Sequence, residues 1–427
     1  MPEEIIPRHI RVEASAHCQL SCPSCPTATG AVRPVLGAGH LRFSDFRSLL
    51  DRNPSIVEVE LSNYGEMFLN PELIRILEYA FESKVVLHAD NGVNLNFARE
   101  DVLEGLVRYQ FRSMTCSIDG ASDTTYSNYR VRGNFDRVIS NIKKINEHKR
   151  RFNTAFPILA WQFVVFGHNQ HEIAIARRIA GELGMRFYTK LSWDDQFSPI
   201  RDPGLVKIMT GFPYVSRNEF KEAQGIDYMH HICSQLWQAP VLNWDGKLLG
   251  CCRNFWGDFG GNAFKEGLVA SVNGEKISYA RSMLLGRVPD REDIPCTTCD
   301  LYHTLRQTGA WLRETDVRAP QNQPILLSIA FVNQSDDVTH VEMSVFPGQE
   351  LDPSNSRIER IIACILPLQT RSGVVIRLHR SGDYTVCTVP STRRGPKQAA
   401  PNLTFVRVPA RPISQEIKIV IGDTKQS

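Results

Sequence analysis

The sequence predicts an α/β fold with a parallel sheet, then a cysteine-bearing unit, then an all-β end. Residues 9 to about 194 alternate short runs rich in β-branched and aromatic residues with amphipathic helical runs. Residues 231–318 hold Cys233, Cys251, Cys252, Cys296 and Cys299 around a hairpin pattern. After APQNQP (319–324), which reads as a linker, helical periodicity stops and short strand-like runs separated by turns take over.

The strand candidates of the first part are IRVEAS (10–15), IVEVELS (56–62), KVVLHAD (84–90), SMTCSID (113–119), LAWQFVVFG (159–167) and RFYTKLS (186–192). Helical patterns lie between them. Asn70 reads as an N-cap with Pro71 at the first helical position ahead of LIRILEYAF. Asn169 and Glu172 resemble a capping box before IAIARRIAGEL, and Gly184 supplies a stop. NFDRVISNIKKINEHKR (134–150) keeps Phe135, Val138, Ile139, Ile142 and Ile145 on one face. Strands alternating with helices imply right-handed βα units, whose ligands gather at the C-terminal ends of the strands. Residues 195 to about 230 read as a Pro/Gly-containing connector. A hairpin centred on Asp245-Gly246 follows, and a helical run over 303–315 closes the unit.

Composition narrows the function classes. With 42% hydrophobic and 22% charged residues in 427, the chain is globular rather than disordered. A net charge of +3 gives no electrostatic argument for a nucleic-acid partner. No apolar run reaches the roughly 18 residues of a membrane span, and MPEEIIPRHI lacks the apolar stretch of a secretory signal.

The 11 cysteines carry the chemistry. An odd total, no export signal and tight local spacing argue against a disulfide framework. Cys116, Cys364 and Cys387 sit in strand-like apolar runs and read as buried small hydrophobes. Cys18, Cys22 and Cys25 follow the first strand as C-x3-C-x2-C. Three thiolates can hold three irons of a [4Fe–4S] cluster and leave the fourth iron open, or bind zinc with His17 as the local fourth ligand.

Their context resembles the radical S-adenosylmethionine (SAM) superfamily, whose CxxxCxxC loop follows the first strand of a partial (βα)6 TIM-like barrel. Gly65-Glu66 in LSNYGEMFLNPEL is similar to that family's GE element, which contacts the methionine amino group. Asp90-Asn91-Gly92 resembles its turn at the end of the third strand. In SIDG (117–120), the resemblance implies that Ser117 and Asp119 reach ribose hydroxyls. It places Arg130 near the SAM carboxylate and Val165 at the adenine-side wall. One position departs: Ser24 stands where many relatives carry an aromatic or Met that packs near adenine. The resemblance covers roughly residues 9–194 and implies a barrel core over 1–195.

Cys233, Cys251, Cys296 and Cys299, spaced C-x17-C-x44-C-x2-C, resemble the family's auxiliary-cluster extension in its short Twitch form, the longer version being SPASM. The resemblance implies one auxiliary [4Fe–4S] cluster in residues 196–318, closed by four thiolates; a structural zinc is the other reading of the same set. Cys252 competes with Cys251, and the Gly246 spacing favours Cys251. Residues 325–427 form a separate, sandwich-like all-β domain with no assigned role.

The implied activity is reductive cleavage of SAM to a 5′-deoxyadenosyl radical, hydrogen abstraction from the substrate, and transfer of the second electron to the auxiliary cluster. The expected reaction oxidises a small polar alcohol such as a sugar or cyclitol, since no leader-peptide-binding extension precedes the first strand. The alternative is a peptide-modifying maturase, performing crosslinking or epimerisation, with the β domain as recognition module. The expected electron donor is a flavodoxin or ferredoxin, and iron–sulfur clusters imply a reducing cytoplasm. The sequence assigns no catalytic proton acceptor: Asp194, Asp195 and His168 lie near late strand ends, and Tyr64 sits beside the GE pair.

Overall fold

The computed structural model describes residues 4–317 and, beyond them, strands at 325–333, 338–347, 359–364, 370–378, 382–392, 402–408 and 415–421. Strands β1 (His9–Val12), β2 (Glu58–Glu60), β3 (Val86–Val93), β4 (Ser113–Ser117), β5 (Ile158–Val165) and β6 (Arg186–Leu191) fall where the alternating pattern places them. They pair in sequence order and all in parallel. Helices over Phe43–Arg52, Leu73–Glu82, Glu100–Arg108, Phe135–Arg151 and Ile173–Glu182 are interspersed between them.

Side-chain alternation separates the two faces of this sheet. Ile10, Val12, Val59, Leu61, Leu87, Met114, Leu159 and Trp161 are buried in the apolar core. The opposite parity carries Arg11, Glu60, His88, Thr115, Gln162, Tyr188 and Lys190. The barrel interior is therefore polar. Within it, His88 contacts Glu58 at 3.1 Å and Glu60 and Asp90 at 2.9 Å each. Burial alone would lower the His88 pKa, but Glu60 and Asp90 raise it to about 10 and keep the imidazole protonated.

Two expected caps do other work. Asn70 Oδ1 accepts from Glu72 N–H at 2.8 Å, but its Nδ2 donates to Ala14 O and Leu41 O, and the helix starts only at Leu73. Asn169 makes no cap bond; its Nδ2 donates to Asp119 O and Val164 O. Glu172 accepts from Ala121 N–H, Ser122 Oγ and Thr125 Oγ1 instead of closing a capping box. Most of these partners lie on segments distant in sequence, which local spacing cannot reveal.

The connector after β6 contains two helices, Pro203–Thr210 and Arg217–Gln224. Asp202 and Ser216 cap them through Leu205 N–H and Glu219 N–H, and left-handed Gly211 and Gly225 end them. The closing helix expected over 303–315 is Asp300–Thr308, stopped by left-handed Gly309.

Hairpin β7 (Val241–Leu242) and β8 (Leu248–Gly250) joins the same sheet: β7 pairs in parallel with β1, and β8 antiparallel with β7. The cysteine-bearing unit thus docks on the strand that leads into the first cysteine loop. Beyond residue 324, β9 (Ile325–Asn333), β10 (Val338–Pro347), β11 (Glu359–Cys364), β12 (Thr370–Leu378), β13 (Gly382–Thr392), β14 (Asn402–Val408) and β15 (Gln415–Ile421) are all strands, as the pattern predicts. They form sheets β11-β10-β13-β14 and β12-β9-β15. The linker at 319–324 and the side chains of Cys364 and Cys387 lie outside what is described. Among the described residues, no helix is long and apolar enough to cross a membrane.

Candidate active site

The loop after β1 brings Cys18, Cys22 and Cys25 together in one apolar cluster with Leu20, Tyr129, Val164 and Phe166. Burial pushes the Cys18 thiol up to about 12, and the nearby Glu66 carboxylate adds to it. Burial raises Cys22 as well, opposed by Arg130. Thiols held this way stay protonated until a metal displaces the proton. Two donors already point at the sulfurs: Asn94 Nδ2 lies 3.7 Å from Cys18 Sγ, and Arg130 Nη1 lies 3.9 Å from Cys22 Sγ. Such N–H groups around thiolates are what a bound cluster uses to set its potential.

The Gly65-Glu66 turn lies directly against this loop. Glu66 N–H donates to His17 O at 2.7 Å. A Cβ on Gly65 would lie 1.7 Å from Ser15 O, so only glycine permits the approach. Glu66 is buried, and its carboxylate accepts from Asn94 N–H at 2.7 Å and Phe68 N–H at 3.3 Å. Burial lifts it to about 7 against those bonds. Glu13, at the end of β1, is a residue the motif reading missed. Its carboxylate accepts from Tyr64 N–H at 2.7 Å and Gly65 N–H at 3.3 Å, fixing the turn. A buried acid at an inward position of the first strand was the available signal. Asn94 was missed likewise, although the NGVNLN run is rich in amides.

Other expected contacts are rearranged. Asn91-Gly92 lies within β3, which runs on to Val93 through an irregular register. Asn91 Nδ2 donates to Asn63 O, and a Cβ on Gly92 would meet Ser117 Oγ at 2.5 Å. Ser117 is buried at that approach. Asp119 is fully buried; it accepts from Val164 N–H at 2.7 Å and from Arg130 Nε and Nη2 at 2.7 Å each. Asp119 and Arg130 are thus paired with each other, and Arg130 also reaches Cys22 Sγ. Val165 packs in the main core, whereas its neighbours Val164 and Phe166 line the cysteine cluster, as strand alternation requires.

At Ser24, Trp193 Nε1 donates to the backbone oxygen at 3.2 Å, so an aromatic from the end of β6 stands beside the position that lacks one. Ser24 Oγ donates to Asp194, whose other oxygen accepts from Gln196 and Phe197 N–H. These bonds make Asp194 a turn cap and hold its carboxyl below its ordinary range. Asp195 is bonded to Asn218, and His168 stacks on Phe166. The Tyr64 ring meets Phe255 edge-on at 5.8 Å, and its buried hydroxyl has no hydrogen-bond partner among the described residues.

Cys233, Cys251, Cys296 and Cys299 line one apolar cavity with Leu236, Trp256 and Tyr302. Four turns deliver them: the short helix His230–Ser234, the end of β8, and both ends of Pro295–Thr298. Gly261-Asn262-Ala263-Phe264 wraps the hairpin, with Ala263 N–H on Gly246 O and Asn262 Nδ2 on Asp245 O, both 2.9 Å. Buried Arg281 donates to Leu236 O, and the Arg253 charge favours the Cys233 and Cys299 thiolates. Four sulfurs in a dry cavity suit a closed cluster or zinc; the donor set fits the group. Cys252 stands apart, packed with Val32, Leu36, Tyr64 and Phe255. Cys251→Ala is therefore expected to lose about four irons per chain, while Cys252→Ala keeps them. Iron and acid-labile sulfide analysis of reconstituted protein checks this, and equal loss in both variants contradicts it.

No family model matches the chain, and no curated protein does. Solved structures of similar fold include SuiB of Streptococcus suis bound to S-adenosylmethionine, at 14% identity and TM-score 0.49 over 70% of this chain and 71% of that one. BtrN in complex with AdoMet and 2-DOIA matches at 15% identity and TM-score 0.41, over 70% of this chain and 94% of that one. Native anSMEcpe with bound AdoMet matches at 14% identity and TM-score 0.45, over 69% and 88%.

Proposed function

We propose that this chain is a radical SAM enzyme with one auxiliary iron–sulfur cluster, acting on a small polar substrate at the C-terminal mouth of its partial barrel. The observation that carries the reading is the cysteine loop of β1, where Asn94 and Arg130 point at two sulfurs and the Gly65-Glu66 turn is locked against the same loop. In this reading Cys18, Cys22 and Cys25 hold the open cluster, and Cys233, Cys251, Cys296 and Cys299 hold the closed one. When bound, these groups supply SAM cleavage to a 5′-deoxyadenosyl radical and an acceptor for the second electron of an alcohol oxidation.

The protein's part is positioning. Glu13 takes up the Tyr64 and Gly65 N–H groups, so the turn presents its remaining polar atoms in one fixed arrangement. In this reading the Glu66 carboxylate would take the ammonium of the sulfonium amino acid. Val164, Phe166 and Tyr129 exclude water around the sulfurs. The expected electron donor is a flavodoxin or ferredoxin in a reducing cytoplasm. Reconstituted, reduced protein incubated anaerobically with SAM is expected to release 5′-deoxyadenosine and methionine. If neither forms while the cluster is demonstrably loaded and reduced, the reading is wrong.

A further inference from the structure

The polar interior of the barrel sorts its charges. Glu58, Glu60 and Asp90, on β2 and β3, surround the protonated His88. Lys190 is the penultimate residue of β6, the other end of the parallel set. Arg217 reaches the same end: its Nε donates to Leu191 O at 3.0 Å, and its guanidinium lies 4.8 Å from the Tyr228 ring and 5.8 Å from that of Trp193. Arg11 on β1 stands opposite Glu60 of β2 in the strand register, and its buried Nη1 has no hydrogen-bond partner among the described residues.

Among the described residues, no carboxylate lies within ion-pair distance of Lys190 or Arg217, whereas Arg11 has the Glu60 carboxylate beside it. The nearby acids are engaged elsewhere: Asp119 by Arg130, Glu13 by the Tyr64 and Gly65 N–H groups, Asp195 by Asn218 and Asp227 by Met229 N–H. Burial, with the Arg217 charge beside it, pushes the Lys190 pKa down to about 8. An arriving anion would relieve that crowding. Lys190 also lies three residues before Trp193, which holds the backbone of Ser24 in the first cysteine loop. The cations are thus attached to the mouth where the radical would form.

We propose that Lys190 and Arg217 form a subsite for an oxyanion of the substrate, a carboxylate or phosphate ester, beside the first cysteine loop. This rests on the radical SAM reading above and narrows its small polar substrate to an anionic one. The cofactor's own carboxylate has the same chemistry, so the test separates the two sources.

The probe is inorganic phosphate, titrated at constant ionic strength into the reconstituted full chain saturated with SAM and followed by melting temperature. Wild type is expected to show a saturable rise. Lys190→Met and Arg217→Gln are expected to weaken it about tenfold or more, as for removal of a buried charge partner, and Lys190→Arg to retain it. SAM dissociation constants should stay within about twofold across all four proteins, since the cofactor is held elsewhere. No saturable response in wild type, or an undiminished one in Lys190→Met, overturns the subsite. A SAM affinity that falls together with the phosphate response gives the cations to the cofactor and overturns the substrate assignment. If wild type binds no SAM, the radical SAM reading fails, and the same titration without SAM still decides the anion subsite.

Discussion

Replacing Cys18, Cys22 and Cys25 together by alanine is expected to halve the iron, from about eight to about four per chain, and to abolish 5′-deoxyadenosine formation. Half the iron should survive because the two ligand sets share no residue and no wall. The first packs with Leu20, Tyr129 and Phe166; the second lines a cavity with Leu236, Trp256 and Tyr302. Activity should fall by roughly a thousandfold or more, because no side chain can replace the cofactor's chemistry. Iron analysis, visible absorbance and product chromatography read the two effects separately. The fold should survive: the loop's buried neighbours are held by strands on both sides, and the apolar core is independent of the thiols. Retention of all the iron in the triple variant would falsify the assignment of this loop.

Comparing the two cysteine sets explains what a sequence can and cannot convey about such a site. The first three cysteines stood out because metal chemistry demands particular residues at short spacing, and the βα alternation located their loop at a strand end. The set spread from Cys233 to Cys299 was legible only through resemblance, since 17 and 44 intervening residues carry no local signal. The structure closes it by wrapping Asn262 and Ala263 round the hairpin. Glu13, Asn94 and Lys190 were not legible. Each looks like an ordinary polar residue in an alternating run, and its role depends on what lies opposite. Asp119, Arg130 and Val165 stood out by motif position, while their partners within the fold are decided by three-dimensional competition: Arg130 pairs with Asp119 at 2.7 Å, and strand parity turns Val165 into the core.

That competition leads to the second large effect. Arg130→Met is expected to destabilise the protein by about 3–5 kcal/mol, because it leaves Asp119 buried without its charge partner. Asp119 is fully buried, and among the described residues its other side-chain bond is from Val164 N–H, so protonation is its escape. Burial already raises its pKa while Arg130 holds it down; without Arg130 it rises further. The sign follows from that. The lost stability belongs to the charged carboxylate, so the deficit against wild type should be largest at neutral pH and shrink in acid, where Asp119 takes a proton in the variant. Asp119→Asn combined with Arg130→Met removes both charges and should recover much of the stability. The cluster should not recover with it. Arg130 Nη1 is also the donor at Cys22 Sγ, and the double variant still lacks it. A more negative midpoint potential for the SAM-binding cluster is therefore expected in both variants, alongside restored melting in the double variant alone. Were potential and stability to recover together, Arg130 would be a structural partner of Asp119 and nothing more; recovery of stability alone assigns it two separable jobs.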